Sequence, residues 1–210
     1  MRLNVPFIKS RGFECGQACA AMMIKYYHPD FTPDFDEMNR VIHHLPNKYT
    51  FPPQLALLLD HYGVEAHGYS SDDIQTSIDD PTQFKRWWGK DYEHEVKFLD
   101  PPSFDWMVET MRAKDLFTLK TTDFAELLAH FDQGHLVSMP IDWATVTGQG
   151  GPYQGHFVVI SGRVGDNLLI HDPDVEPYQT HPLSLIEEAW HHPAIANDFL
   201  VSTGTKQRPA

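Results

Sequence analysis

The chain has few cysteines, few positive charges and no long apolar run. Cys15 and Cys19 are the two cysteines among 210 residues, too few for a disulfide framework. They sit four apart on one apparent helix, whose rigid spacing does not suit a disulfide between them. Two thiols without a framework point to a reducing compartment, so the expected location is cytoplasmic. Sixteen Lys and Arg face 29 Asp and Glu, a net charge of −13. Nucleic acid and anionic membrane surfaces are therefore not expected partners. No segment approaches the ~18 apolar residues of a membrane span. Residues 1–8 carry one arginine and no apolar run of signal-peptide length. The pairs His43-His44 and His191-His192 lack a His-x₃-His or Cys-x₂-Cys partner spacing, so surface roles are expected for them. Asp172-x-Asp174 lacks the glycine and distal glutamate of a calcium loop. No metal and no cofactor is expected.

Aromatic residues are plentiful: 13 Phe, 5 Trp and 8 Tyr can build a sizeable core. The length suits one domain, 1–210, with an elaborated insertion at about 70–115. Residues 3–8 read as a short edge strand, where Pro6 is tolerated. Ala18, Cys19, Met22, Met23 and Tyr26 fall at helical spacing over 15–27, and His28-Pro29 ends that helix. Helices are also expected from Thr32 to His44, Pro53 to Tyr62, Phe104 to Arg112, Thr122 to Gln133 and Leu183 to His191. Strands are expected at Val64–Tyr69, Asp115–Lys120, His135–Asp142, His156–Gly162, Asn167–His171 and Asp198–Ser202. Ala144 to Gly155, with Gly148, Gly150 and Gly151, reads as a flexible loop. Helices first and an antiparallel sheet last make the fold class α+β, with the Cys15 helix packed on the sheet.

One cysteine stands where a helix begins. A helix N-terminus concentrates unpaired N–H groups and the positive end of the dipole. That field favours thiolate, the form that attacks a carbonyl carbon. Cys15-Gly16 thus marks a candidate nucleophile, whereas Cys19, one turn further in, reads as core. Such chemistry needs a base, and a third group to orient the base. His156 opens an apolar strand, and Asp172-Pro173 closes the next one. The start of one strand adjoins the end of its antiparallel neighbour, so Asp172 can orient His156. A lone histidine at a strand edge, or an Asp-Pro after a strand, is more often a surface or turn residue. The ordered set of three carries the signal.

This set resembles the papain-like superfamily, and within it the bacteriocin-processing (double-glycine leader) peptidases in stand-alone form. The matching stretches are Val5-Pro6-Phe7-Ile8, Cys15-Gly16-x-Ala18 with Met22, Gly134 to Pro140, Gly155-His156-Phe157-Val158-Val159, Asp172-Pro173 and Ala189-Trp190. Residues 70–115 have no clear counterpart. The resemblance implies a papain-like fold, a peptide or small amide substrate, and Cys15, His156 and Asp172 as nucleophile, base and orienting group. In the resembling peptidases a glutamine six residues before the nucleophile helps bind the oxyanion; here Lys9 stands there as the auxiliary candidate. Hydrolysis of a peptide is the first expectation. Transfer of the acyl group to an amine uses the same thioester, and a catalytically weak peptide- or partner-binding module is the reading from another class. Trp87-Trp88 reads first as core packing and second as a substrate platform.

Overall fold

Alternation along one strand divides the molecule into two cores. The structure, a computed structural model, describes residues 1–72, 80 and 82–206. Strand β4 is Gly155–Val164. Its Phe157 and Val159 belong to one buried cluster, and Val158 and Ile160 to the other, because successive side chains of a strand point to opposite faces. The first cluster is covered by helices α1 (Cys15–Tyr27) and α3 (Pro52–His61). The second is covered by the helices Phe124–Asp132 and Leu183–Trp190.

The remaining strands are β1 (Val64–Ser70), β2 (Phe117–Leu119), β3 (Leu136–Asp142), β5 (Asn167–His171), β6 (Gln179–Pro182) and β7 (Phe199–Thr205). Among the described residues they form a seven-stranded sheet with β4, in the order β2-β1-β7-β3-β4-β5-β6. The fold is α+β, with β1 and β2 parallel and every other pair antiparallel. The sheet is thus not confined to the last third of the chain: β1 and β2 come from the helical part and extend it through β7.

Helix α1 is apolar all round, and Gly16 to Ile24 are all buried, as expected of a helix enclosed on every side. It packs on β4 and on α3. Gly16 permits the contact, since a Cβ there would meet Leu55 Cδ2 and Thr50 Cγ2 at 3.2 Å. The helix stops at His28, ahead of Pro29. The β4–β5 hairpin turns through Gly165-Asp166, with Gly165 at φ 57.

Several expectations are corrected. Residues 3–8 form no strand: the ladder is limited to the bridge Arg2↔Gly162 and the bond Leu3 N–H to Ser161 O, and Pro6 has no N–H to extend it. The helix α2 spans Phe35–Val41 only, because Asp34 caps it by accepting from the N–H groups of Asp36 and Glu37. The loop after β3 begins with a helix, Trp143–Thr147, capped by Asp142 and stopped by Gly148 at φ 63. Residues 82–113 supply the helices Thr82–Trp88, Tyr92–Glu95 and Pro101–Ala113; residues 73–79 and 81 of the expected insertion lie outside the described residues. No helix among the described residues is long and apolar enough to cross a membrane.

Gly68 of β1 lies under the Phe117 ring, and a Cβ there would fall 2.1 Å from Phe117 Cε2. Gly68→Ala is therefore expected to push the ring off the β1–β2 pair and to destabilise the protein by about 1–3 kcal/mol. A thermal melt checks this; an unchanged midpoint would show that Phe117 swings aside without loss.

Candidate active site

The first turn of α1 is held from below by a chain of polar side chains. Glu14 precedes the helix, but its carboxylate does not cap it. It instead accepts from Arg11 Nε at 2.8 Å and Nη2 at 3.1 Å, and from Asn39 Nδ2 at 2.6 Å. Burial opposes that charge, but the Arg11 and Asn39 bonds prevail and hold the Glu14 carboxyl below its ordinary value. Asn39 Oδ1 accepts from Gln17 Nε2 at 2.8 Å, and Gln17 Oε1 from Thr50 Oγ1 at 3.0 Å. This network fixes the helix end while leaving the Glu14 side chain off its N–H groups, so the groups around Cys15 remain available to a ligand oxygen. Cys15 is partly exposed; Cys19 is fully buried. Burial, and then the neighbouring Cys15, push the Cys19 thiol well up, as befits a core residue.

The β4–β5 hairpin brings His156 and Asp172 together. Val159 pairs with His171, so one further step of that register sets Asp172 on the same side of the sheet as His156. His156 Nε2–H donates to Asp172 Oδ1 at 2.8 Å. Asp172 is fully buried, and the same oxygen accepts from the Asp174 N–H at 2.8 Å, closing a turn over Pro173. His156 is 7% exposed. Burial by itself lowers its pKa, but the bonds to Asp172 and to Cys15 outweigh burial and push it up to about 10. The imidazole is thus held by the carboxylate of the hairpin and lines the same cleft as the thiol of α1. His171, next to Asp172, has a structural role: its Nε2–H donates to Val5 O at 3.0 Å and its Nδ1 accepts from Tyr178 N–H at 3.0 Å.

Sequence reasoning missed four supporting residues. Asp174 Oδ2 lies 3.8 Å from His156 Nδ1, a second carboxylate on the thiol-facing side of the ring. Ser10 ties the Lys9-Ser10 segment to this loop, through its N–H to Pro173 O at 2.9 Å and its hydroxyl to Asp174 Oδ1. Trp143 packs beside His156 with ring centroids 5.2 Å apart. Asp142 clasps the loop that precedes His156, accepting from Gln154 N–H at 2.9 Å and from Thr145 Oγ1 at 2.6 Å. The serine and the two aspartates are common turn and cap residues, so no local pattern separates these from others. Trp143 directly precedes the glycine-rich loop, and nothing local distinguishes it from a core tryptophan.

Cys15, His156 and Asp174 line one cleft of about 540 Å³, within the range of small-ligand sites. The insertion walls it: Trp88, His94, Glu95 and Phe98 are all lining residues. Trp88 is both buried and cleft-lining, stacked on Phe84 at 5.2 Å, so the two readings of Trp87-Trp88 meet in one residue. Lys9 is exposed and lies outside the described cleft lining. His44 departs from its expected surface role: it is buried, with Nε2 donating to Lys48 O at 2.9 Å. Among the described residues no group of three or more His, Cys, Asp or Glu is set to hold a metal ion.

A partly exposed thiol at a helix N-terminus thus lines one cleft with an imidazole that is joined to a buried carboxylate. A family model assigns this arrangement to a class. Residues 2–192 match the Peptidase_C39 like family, and the chain belongs to that family. Family and fold together support a cysteine peptidase function. Among solved structures, a C39-like peptidase from Bacillus anthracis aligns with a TM-score of 0.54 at 15% identity, over 97% of this chain and 96% of that one. The peptidase domain of Streptococcus ComA, a bi-functional ABC transporter of a quorum-sensing pathway, aligns at 0.49 and 13% identity over 97% and 98%. A double glycine motif protease from an AMS/PCAT transporter, in complex with its leader peptide, aligns at 0.49 and 17% identity over 96% and 93%. No curated protein sequence matches the chain.

The raised imidazole pKa has a consequence for stability. The unfolded imidazole titrates near ~6.5 and the folded one at about 10, so the folded state holds the proton more tightly. The stabilisation is complete below the unfolded value and is lost as pH rises through the folded one. Thermal midpoints of the wild type are expected to fall between those two pH values, and the fall to shrink in His156→Gln. Parallel profiles for the two proteins would show that the imidazole is not charged in the folded state.

Proposed function

We propose that the protein is a cysteine peptidase in which Cys15 is the nucleophile, His156 the general base and acid, and Asp172 the orienting group. The observation that carries this is the single imidazole joined to the buried Asp172 at 2.8 Å and lining one cleft with Cys15. The Cys15 sulfur attacks the carbonyl carbon of a peptide bond, and the carbonyl electron pair moves to oxygen. The backbone N–H of Cys15 faces that oxyanion. Collapse breaks the C–N bond, and the imidazolium of His156 passes its proton to the leaving amine. A water then gives a proton to His156 as it attacks the thioester. The carboxylic acid leaves, and the thiolate and imidazolium are restored. Asp172 stays ionised throughout and stabilises the imidazolium.

Placing this machinery in one domain over 1–210, with residues of the insertion as a wall of its cleft, is part of the same proposal. The residues that would resolve the thioester by an amine instead of water are those same three, so acyl transfer differs only in the acceptor. Lys9 holds the position of the resembling family's oxyanion glutamine and is exposed, so in this reading the backbone N–H of Cys15 is the oxyanion donor.

Cys15→Ala and His156→Ala are expected to lower kcat/KM by ~10³-fold or more, and Asp172→Asn by ~10²–10⁴-fold through the wrong imidazole tautomer. Cleavage of quenched fluorescent peptides, with the products weighed by mass spectrometry, measures both rate and acceptor. Products extended by an added amine would assign acyl transfer, and full activity in Cys15→Ala would rule out the thiol mechanism. Lys9→Gln is expected to raise turnover, by up to ~10²-fold where a side-chain amide completes the oxyanion site. A drop in the same assay would make Lys9 itself the donor.

A further inference from the structure

The cleft contains more negative charge than the acyl chemistry uses. Besides Asp174 beside His156, Glu95 and Asp198 line it, while no Lys or Arg among the described residues does. His94 and His156 are the described lining groups that can carry positive charge. Glu95, from the helix Tyr92–Glu95, is 1% exposed, and its carboxylate accepts from the Tyr49 hydroxyl. Tyr49 lines the same cleft as Cys15 and Glu95, so the Glu95–Tyr49 pair belongs to the wall around the proposed nucleophile. Tyr153 senses Tyr49, Glu95 and Asp198 together and stands among them.

Further in, two buried polar atoms have no hydrogen-bond partner among the described residues: Asp198 Oδ1 and Trp88 Nε1. Trp88 is 6% exposed. Neither Glu95 nor Asp198 forms an ion pair with Lys or Arg among the described residues. Burial raises the Glu95 carboxyl against the opposing Tyr49 bond, and pushes Asp198 up to about 8. Two carboxyl groups whose ionisation burial disfavours, with no cation beside them and aromatic rings around them, are set to take up charge when a cation arrives. A cation supplies what they lack, and the rings of Trp88 and Tyr153 add attraction of their own.

We propose that this recess is the subsite for a positively charged side chain, lysine or arginine, of a peptide substrate, with Glu95 and Asp198 as the carboxylates that receive it. The proposal rests on the peptidase reading above for the nature of the ligand, but its test does not require turnover.

The Cys15→Ala protein is titrated with fluorescein-labelled peptides in which one position at a time carries Lys, Arg, norleucine or Nε-acetyl-lysine in an alanine-serine background. Fluorescence polarisation at ~0.15 M salt gives the affinities. At one position Lys or Arg is expected to bind ~10-fold tighter than norleucine, and Nε-acetyl-lysine, which keeps the length without the charge, to lose that advantage. Adding Glu95→Gln or Asp198→Asn is expected to cut the preference to ~3-fold or less. Equal binding of Lys and norleucine at every position overturns the proposal, as does a preference that both variants leave intact. The acetyl-lysine comparison decides the matter in the parent protein even where a variant fails to fold. Selective binding combined with no cleavage by the wild type would overturn the peptidase reading and leave the subsite standing.

Discussion

Everything in the candidate site depends on one buried charge. Asp172 is wholly removed from solvent, and a carboxylate in that position costs several kcal/mol unless it is paired and hydrogen-bonded. Its compensation comes from His156 and the Asp174 N–H, both on the same oxygen. The imidazole is thereby fixed in orientation and tautomer, and its other nitrogen is left to face α1. The pair also constrains the fold. Only the β4–β5 hairpin in its observed register sets the start of one strand beside the end of the next. A one-residue slip would turn Asp172 to the opposite face.

The second half of the site has a different physical basis. Cys15 is positioned by a helix buried from Gly16 to Ile24, whose close approach to α3 at Gly16 leaves a Cβ only 3.2 Å from Leu55 and Thr50. The helix cannot shift along its axis without disturbing the Arg11–Glu14–Asn39–Gln17–Thr50 chain at its N-terminus. Thiol and imidazole therefore meet because two rigid bodies, helix and hairpin, are locked by the shared core of Phe157 and Val159. Ser10 adds a direct tie from the segment before Cys15 to the Asp172 loop. Packing of helix and hairpin, with no loop closure, thus brings the three groups of the proposed site to one cleft region.

The legible parts of the sequence were those written in local patterns. Helix α1 spans Cys15–Tyr27 as its apolar spacing and His28-Pro29 indicated, and β5 spans Asn167–His171 between its turn and Pro173. The neighbourhood of His156 and Asp172 followed from the hairpin logic of those strands, whereas Cys15 was tied to them only by the resemblance. What stayed hidden was set through space. The parallel pairing of β1 with β2 joins residues about fifty apart and depends on Phe117 lying over Gly68. Glu95 reads as a surface helix residue until the fold turns it toward Tyr49. Asp174 reads as a turn residue until the hairpin sets it 3.8 Å from His156. The expected strand at 3–8 failed because apolar alternation cannot replace the N–H that Pro6 lacks.

These differences in legibility follow the division of labour in the molecule. The reacting groups sit on the buried helix and the central strands, where sequence pattern and packing agree. The cleft around them is walled by residues 88–98 and 152–155, which come from short helices and a clasped loop. Such segments bury little apolar surface of their own and take their shape from what they pack against. Trp88 is held by stacking on Phe84, and Tyr153 by a 4.8 Å stack on His192. Substitutions within these segments can reshape the recess without touching the Asp172–His156–Cys15 row, because the row is anchored on the opposite side, in the hairpin and α1. A fold arranged this way can change what its cleft accepts while keeping the proposed reacting groups, and Glu95, on one of the short helices, belongs to the part that is free to change.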